Sequence, residues 1–187
     1  MKVRNRVIVI LLAIAVILFG VVQFGIIPHN EAEKEKYNLE QLDPRTHDFS
    51  NIVKYKSDYM GDSSNIINLF YNLPLSDLGL RFELFPDTLT LEVDYQSEGK
   101  SKGEEIIRSA LLYNAMAAFT LIGNLEQINF VFLDESYQAK RSEFRKEFGS
   151  FADVINPDQW NQGVQDKLKD KVYTQQAADK LLANFEK

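Results

Sequence analysis

The sequence has no cysteine among its 187 residues, and only two histidines and one tryptophan. A chain without cysteine forms no disulfide, thiolate metal site or lipidated N-terminal cysteine, and it has no thiol nucleophile. A net charge of −6 argues against nucleic-acid binding, which normally requires a basic excess. The apolar fraction of 45% is that of a folded protein, and the length suits one medium-sized domain.

One long apolar run stands near the N-terminus. Residues 7–27 contain a single clearly polar side chain, and a helix of that length spans roughly 30 Å, the thickness of the hydrocarbon core of a bilayer. Lys2, Arg4 and Arg6 precede the run without any acidic residue among them. The positive-inside rule therefore places the N-terminus in the cytoplasm and everything after Pro28 outside.

A cleaved signal peptide is the alternative interpretation of this run. Signal peptides have an apolar stretch of about 7–15 residues followed by a small-x-small cleavage site, and residues 21–27 offer no such site. We therefore predict an uncleaved anchor and a single-pass protein of the cell membrane, with the lipid bilayer as a partner through residues 7–27. Beyond Pro28 the chain carries 18 Lys and Arg against 27 Asp and Glu, a charge of −9.

The composition divides the chain into three parts. We predict a cytoplasmic tail and transmembrane anchor at residues 1–28 and a polar juxtamembrane linker at 29–45, helical in part. The extracytoplasmic domain is predicted at 46–187. Within it we expect a core at about 46–149 and C-terminal helices at 150–187.

Hydrophobic periodicity predicts an α+β domain with a small, mostly antiparallel sheet packed with helices, preceded by one N-terminal transmembrane helix. Apolar residues recur at helical spacing in six segments and alternate in four. The helices are expected at 49–60, 63–72, 104–122, 142–148, 157–168 and 174–185. The strands are expected at 80–85, 89–95, 128–132 and 137–141.

Two short motifs resemble catalytic sets. His47 and Asp48 are adjacent and Ser50 is near, but neighbouring side chains point apart, and a cap at a helix start is the better interpretation. Ser97 and Lys100 spell S-x-x-K within a polar loop rather than at a helix start, which indicates chance. We therefore predict no catalytic residue, no metal ligand and no cofactor, and a protein that is not an enzyme.

Three polar residues fall within apolar patterns. Glu92 and Asp94 alternate with apolar residues in a predicted strand, which is typical of a solvated sheet face. Asn114 falls on the apolar stripe of the helix at 104–122, where a hydrogen-bonded buried amide is expected.

Aromatic residues are concentrated between residues 55 and 95. Most would serve the core, but tyrosine is also favoured at recognition surfaces. The candidate binding residues are Tyr55, Tyr59, Tyr71 and Tyr95.

Several short sequence motifs follow one another between residues 46 and 149. They are 46–56 (THDFSNIVKYK), 59–62 (YMGD), 65–75 (NIINLFYNLPL), 89–95 (LTLEVDY), 113–115 (YNA), 118–119 (AF), 124–126 (NLE), 128–129 (IN), Tyr137 and 141–142 (RS). This pattern resembles the bacterial family called domain of unknown function 4825. The resemblance implies a Bacillus-like Gram-positive source and one extracytoplasmic domain near a membrane segment. It implies no activity and no catalytic residue.

Three functions remain open. The first is a membrane-anchored protein-interaction or sensing module of the cell envelope, whose partner is another membrane or envelope protein. The second is an envelope binder of a small ligand or peptide. The third, which has the least support because no catalytic set is present, is a wall-active hydrolase.

Overall fold

The computed structural model describes residues 2–185, and the chain divides into two compact units, Met1–Glu40 and Gln41–Lys187. In the first unit, α1 (Lys2–Val21) continues through a π-helical turn (Val22–Ile26) into α2 (Ile27–Gln41). The helix over Ile10–Gln41 is long and apolar enough to cross a membrane, and none of its apolar window is buried.

The helix continues past Pro28, where we expected the anchor to end and a partly helical linker to begin. Proline lacks the N–H group of an α-helical hydrogen bond and usually kinks or ends a helix. Here the π-helical turn lies directly before it, and the Ile27 N–H bonds to the Val22 carbonyl five residues earlier. The wider turn accommodates the imino acid without ending the helix.

The second unit is built on a five-stranded sheet with the strand order β1-β2-β3-β4-β5. All neighbouring pairs are antiparallel except β2 and β3, which are parallel. The α+β prediction is therefore confirmed. The strands are β1 (Leu80–Phe85), β2 (Thr90–Tyr95), β3 (Gln127–Val131), β4 (Ser136–Lys140) and β5 (Leu182–Asn184).

The parallel pair is connected by a long helix. The connecting helix is α4 (Glu104–Leu121), and every residue from Ser109 to its end is buried. A shorter helix, α3 (Ser63–Tyr71), comes earlier in the chain. Alternate residues of β2 and β3, such as Val93 and Phe130, lie in the same buried core as α4. The crossover explains why one pair is parallel, because parallel strands require a long connection, usually a helix.

The opposite face of the sheet is polar. Glu83, Glu92, Asn129 and Gln138 lie side by side across four strands. The expectation that Glu92 lies on a solvated face is wrong, since its side chain is buried. β2 is an interior strand, so Glu92 lies between Glu83 of β1 and Asn129 of β3.

The segment predicted as a helix at 49–60 consists instead of two 3-10 turns, Phe49–Asn51 and Val53–Tyr55. Asp48 does cap the first turn, by accepting a hydrogen bond from the Ser50 N–H. A continuous helix does not form because the backbone after Tyr55 makes a hydrogen bond to another element. The Ser57 N–H donates to the Leu121 carbonyl at 2.9 Å, at the end of α4.

The predicted helix at 63–72 is confirmed as α3, with Asp62 as its cap. α5 (Arg141–Phe148) begins one residue before the helix predicted at 142–148 and is followed by Gly149, whose φ of +83° suits glycine.

The C-terminal segment completes the domain. α6 (Pro157–Trp160) runs through a π-helical turn into α7 (Asp166–Leu168), after which comes α8 (Lys171–Leu181). Asp170 caps α8, whereas Thr174, where the last helix was predicted to begin, lies inside the helix and donates to the Leu168 carbonyl. The prediction that this helix continues to Phe185 is wrong, because Leu182–Asn184 form β5, which pairs with β4 and becomes the edge of the sheet.

Candidate functional site

The four tyrosines chosen from the sequence do not form one surface. Tyr59 and Tyr71 are 71% and 52% exposed. Tyr55 is half-buried, and its hydroxyl oxygen accepts a hydrogen bond from the Asn72 Nδ2 at 3.1 Å. Tyr95 is buried in the core and stacks on Phe132 with ring centroids 4.5 Å apart. Burial raises the pKa of Tyr95, and its side chain is not available to a partner.

His47 is held on both ring nitrogens inside the domain. Its Nε2 lies 2.7 Å from the Asn72 carbonyl, which only accepts, and its Nδ1 lies 2.7 Å from the Tyr113 hydroxyl. Burial lowers the pKa of His47, against the opposing influence of the Asn72 carbonyl and the Asp48 carboxylate. The neutral ring therefore donates to Asn72 and accepts from Tyr113. Asp48 bonds to Ser50 instead, so these residues form no catalytic triad.

The neighbours of His47 connect both ends of the domain. Phe49 stacks on Trp160 with ring centroids 3.8 Å apart, and Tyr113 meets Trp160 edge-on at 5.2 Å. The Gln165 amide donates to the His47 carbonyl at 2.7 Å. This cluster is therefore a structural junction between the first turns of the domain, α4 and the α6–α7 segment.

Asn114 lies beside Tyr113 on α4. Its side chain is buried, and its amide donates to the Pro74 carbonyl at 2.8 Å. The expectation of a hydrogen-bonded buried amide at this position is confirmed.

A cavity of about 750 Å³ opens at the end of α4, where α5 meets the loop after it. We call it the Arg141 cavity. It is open to solvent rather than enclosed. Its walls include Lys56, Thr120, Arg141, Arg145 and Phe151, together with the loop at Gly149 and Ser150. A smaller hollow of about 320 Å³ shares Arg141 and Arg145 with it.

Arg141 is the buried cation of this cavity, at 7% exposure. Its Nη1 donates to the carbonyls of Ile122 and Leu125 at 3.0 and 2.9 Å, and its guanidinium lies 4.7 Å from the Phe151 ring centroid. Among residues 2–185 no carboxylate forms an ion pair with it. Burial lowers the pKa of Arg141, Glu126 raises it, and the positive charge of Arg145 lowers it further.

Two further side chains have unused hydrogen-bonding capacity at the cavity. Thr120 is 8% exposed, and its hydroxyl oxygen is buried with no partner within the part of the chain that the structure describes. Arg145 lies one helical turn after Arg141, is exposed, and stands 5.7 Å from the Phe151 ring centroid without an ion pair among the described residues. A buried polar group without a partner is costly, and the Thr120 hydroxyl is such a group at the wall of this cavity.

Sequence reasoning missed this site. The signal available was the run Arg141–Lys146, which places three basic residues in an otherwise acidic domain, two of them four residues apart on one helix face. Lys56 and Thr120 come from distant segments, and no local pattern links them to that run. Over residues 2–185, no group of three or more His, Asp or Glu side chains is arranged to hold a metal ion.

Comparison with known proteins gives a family and no function. The family described as "Domain of unknown function (DUF4825)" matches residues 52–143, which span α3, α4 and the first four strands. No curated protein and no solved structure matches the chain. Through residues 52–143, the chain is a member of the domain of unknown function 4825 family.

Proposed function

We propose that this protein is anchored in the cell membrane by a single helix and presents its Gln41–Lys187 domain outside the cytoplasm as an interaction or sensing module of the cell envelope. The observation that carries the proposal is the apolar helix over Ile10–Gln41, whose apolar window is not buried by the protein. An apolar helix face without protein cover is stable in lipid and unstable in water.

The orientation rests on charge. Lys2, Arg4 and Arg6 precede the apolar run, and the residues after Pro28 carry a net charge of −9. Basic flanks stay in the cytoplasm, which leaves the acidic domain outside. An extracytoplasmic domain of this kind would meet its partner in the membrane or envelope rather than in the cytoplasm.

Single-cysteine variants test this topology directly, because the native chain has no cysteine. We expect Ser64→Cys, which is exposed at the start of α3, to react with a membrane-impermeant maleimide in intact cells. Asn5→Cys, also exposed, should react only after the membrane is permeabilised. The reverse labelling pattern contradicts the orientation, and release of a shortened chain into the medium contradicts the anchor.

Site-specific photocrosslinking tests the interaction role. Tyr59 and Tyr71 are exposed aromatic residues, and tyrosine is enriched at protein interfaces. With benzoylphenylalanine at either position, irradiation of intact cells is expected to yield the same discrete adduct of higher mass. The control position is Val172 on α8, which is also exposed and should yield none. Recovery of the monomer alone from all three positions argues against an interaction module.

A small-ligand binder is the second candidate function, and the Arg141 cavity is the observation that favours it. A module of this kind would sense a compound of the envelope rather than a protein. The two candidates differ in their readouts, because one predicts a crosslinked partner and the other a ligand-dependent change in the isolated protein.

A further inference from the structure

We propose that the Arg141 cavity binds the phosphate group of a small molecule. The first step of the argument is the state of Arg141 itself. A guanidinium that is nine-tenths buried without a carboxylate partner is a costly arrangement. Two carbonyls orient it through Nη1, but carbonyl groups do not neutralise its charge. The Glu126 carboxylate acts on Arg141 through its charge but forms no ion pair with it among the described residues. An anion in the cavity would supply a counter-charge in direct contact.

The second step is the number of donors that converge. Lys56, Arg141 and Arg145 bring three positive charges to one cavity, and Thr120 adds a buried hydroxyl without a partner among the described residues. A phosphate carries close to two negative charges and several acceptor oxygens, whereas a carboxylate carries one charge and two oxygens. Guanidinium groups also match phosphate geometry in bidentate contacts. The donor set therefore fits phosphate better than carboxylate.

The third step is that the site is built by the fold and is not a chance gathering of surface lysines. Phe151 packs against both arginines, at 4.7 and 5.7 Å from its ring centroid. The two carbonyls that accept hydrogen bonds from Arg141, those of Ile122 and Leu125, belong to the turn after α4. Arg141 is thus held before a ligand arrives, and Arg145 packs on the same ring, which reduces the entropic cost of binding. The domain as a whole is acidic, so general positive charge does not explain the cavity.

The remaining volume points to an organic substituent. About 750 Å³ exceeds the space that one inorganic phosphate fills, and Phe151, Ala152 and Ile155 line the wall beside the cations. A phosphate or diphosphate attached to an organic group of modest size fits this mixture of charged and apolar wall. The inference does not depend on the membrane topology proposed above, because the whole cavity lies within the Gln41–Lys187 domain.

The test uses the full-length protein in nanodiscs of phosphatidylcholine and inorganic pyrophosphate as the probe, with binding measured by isothermal titration calorimetry. We expect saturable binding to the wild type. Arg145→Ala should weaken it about tenfold or more, as expected for the loss of a charged hydrogen bond. The matched control is Arg81→Ala, an exposed arginine of β1 outside the cavity, which should change the affinity less than about twofold.

Thr120→Val separates binding from folding, because valine nearly preserves the shape and removes only the hydroxyl that lacks a partner in the described part of the chain. We expect pyrophosphate binding to weaken about 3- to 10-fold while the unfolding temperature of the ligand-free protein does not fall. Nanodiscs that contain phosphatidic acid, whose headgroup is a phosphate monoester, distinguish the two sources of phosphate. If this lipid weakens the binding of pyrophosphate, the site accepts a lipid headgroup. If pyrophosphate binds equally well in its presence, the ligand is a soluble compound. No saturable binding to the wild type, or equal losses in Arg145→Ala and Arg81→Ala, overturns the proposal.

Discussion

A chain that ends at Gly149 is expected to lose cooperative folding. The removed segment contributes seven large apolar side chains to the core, and each is worth about 1.5–3 kcal/mol when fully buried. They are Phe151, Val154, Trp160, Val164, Leu168, Leu181 and Leu182. Their sum of about 10–20 kcal/mol matches or exceeds the total stability of a typical domain, about 5–15 kcal/mol. Circular dichroism during heating should show no sigmoidal transition.

The same truncation removes more than apolar area. α8 packs on α4, so that a face of the central helix becomes exposed. β5 covers the edge of β4, and its loss leaves unpaired backbone groups on an edge strand, which promotes aggregation. The family match ends at residue 143, so the truncation tests whether the matched region folds without the C-terminal helices and β5.

A chain that begins at Gln41 is the control for this truncation. It lacks the first compact unit and keeps the second intact, so we expect it to unfold cooperatively. If the chain ending at Gly149 unfolds with a sharp transition near that of the full protein, the C-terminal segment is an appendage and is not an integral part of the core.

Trp160→Ala is expected to be strongly destabilising. Trp160 is fully buried, stacks on Phe49 and meets Tyr113 edge-on. Truncation of a buried aromatic side chain to alanine typically costs about 3–5 kcal/mol. For a domain of this size, that corresponds to a fall of about 6–20 °C in the unfolding temperature, which scanning calorimetry can measure.

The matched control is Val172→Ala on the exposed side of α8. Surface substitutions of this kind usually change stability by less than about 0.5 kcal/mol. A fall in unfolding temperature of only about 1–2 °C for Trp160→Ala, on the order of 0.5 kcal/mol, contradicts the close packing of this cluster.

Local patterns predicted the elements whose stability is decided locally. The alternation in 80–95 and 128–141 identified β1 to β4, and the helical stripe after Glu104 identified α4. In each case one face is apolar and meets the core, so the period of the sequence equals the period of the element.

The features that the sequence did not reveal depend on contacts between distant parts of the chain. β5 has three residues and forms because β4 offers a free edge, which no pattern within residues 182–184 records. Tyr95 was chosen as a surface residue because tyrosine favours interfaces, but it lies on the face of β2 that meets the core. The Arg141 cavity depends on Lys56, Thr120 and Arg141 meeting in space, and their separation along the chain conceals this.

The continuation of the helix beyond Pro28 gives the proposed anchor a polar helical extension. The polar residues from Pro28 to Gln41 form about 20 Å of helix at 1.5 Å per residue. The headgroup layer on each side of a bilayer is only about 5–8 Å thick, so a helix that crosses the membrane in this way emerges from it as a stiff spacer. The height of Gln41 above the lipid is then set by residue count, and each added or deleted turn changes it by about 5.4 Å.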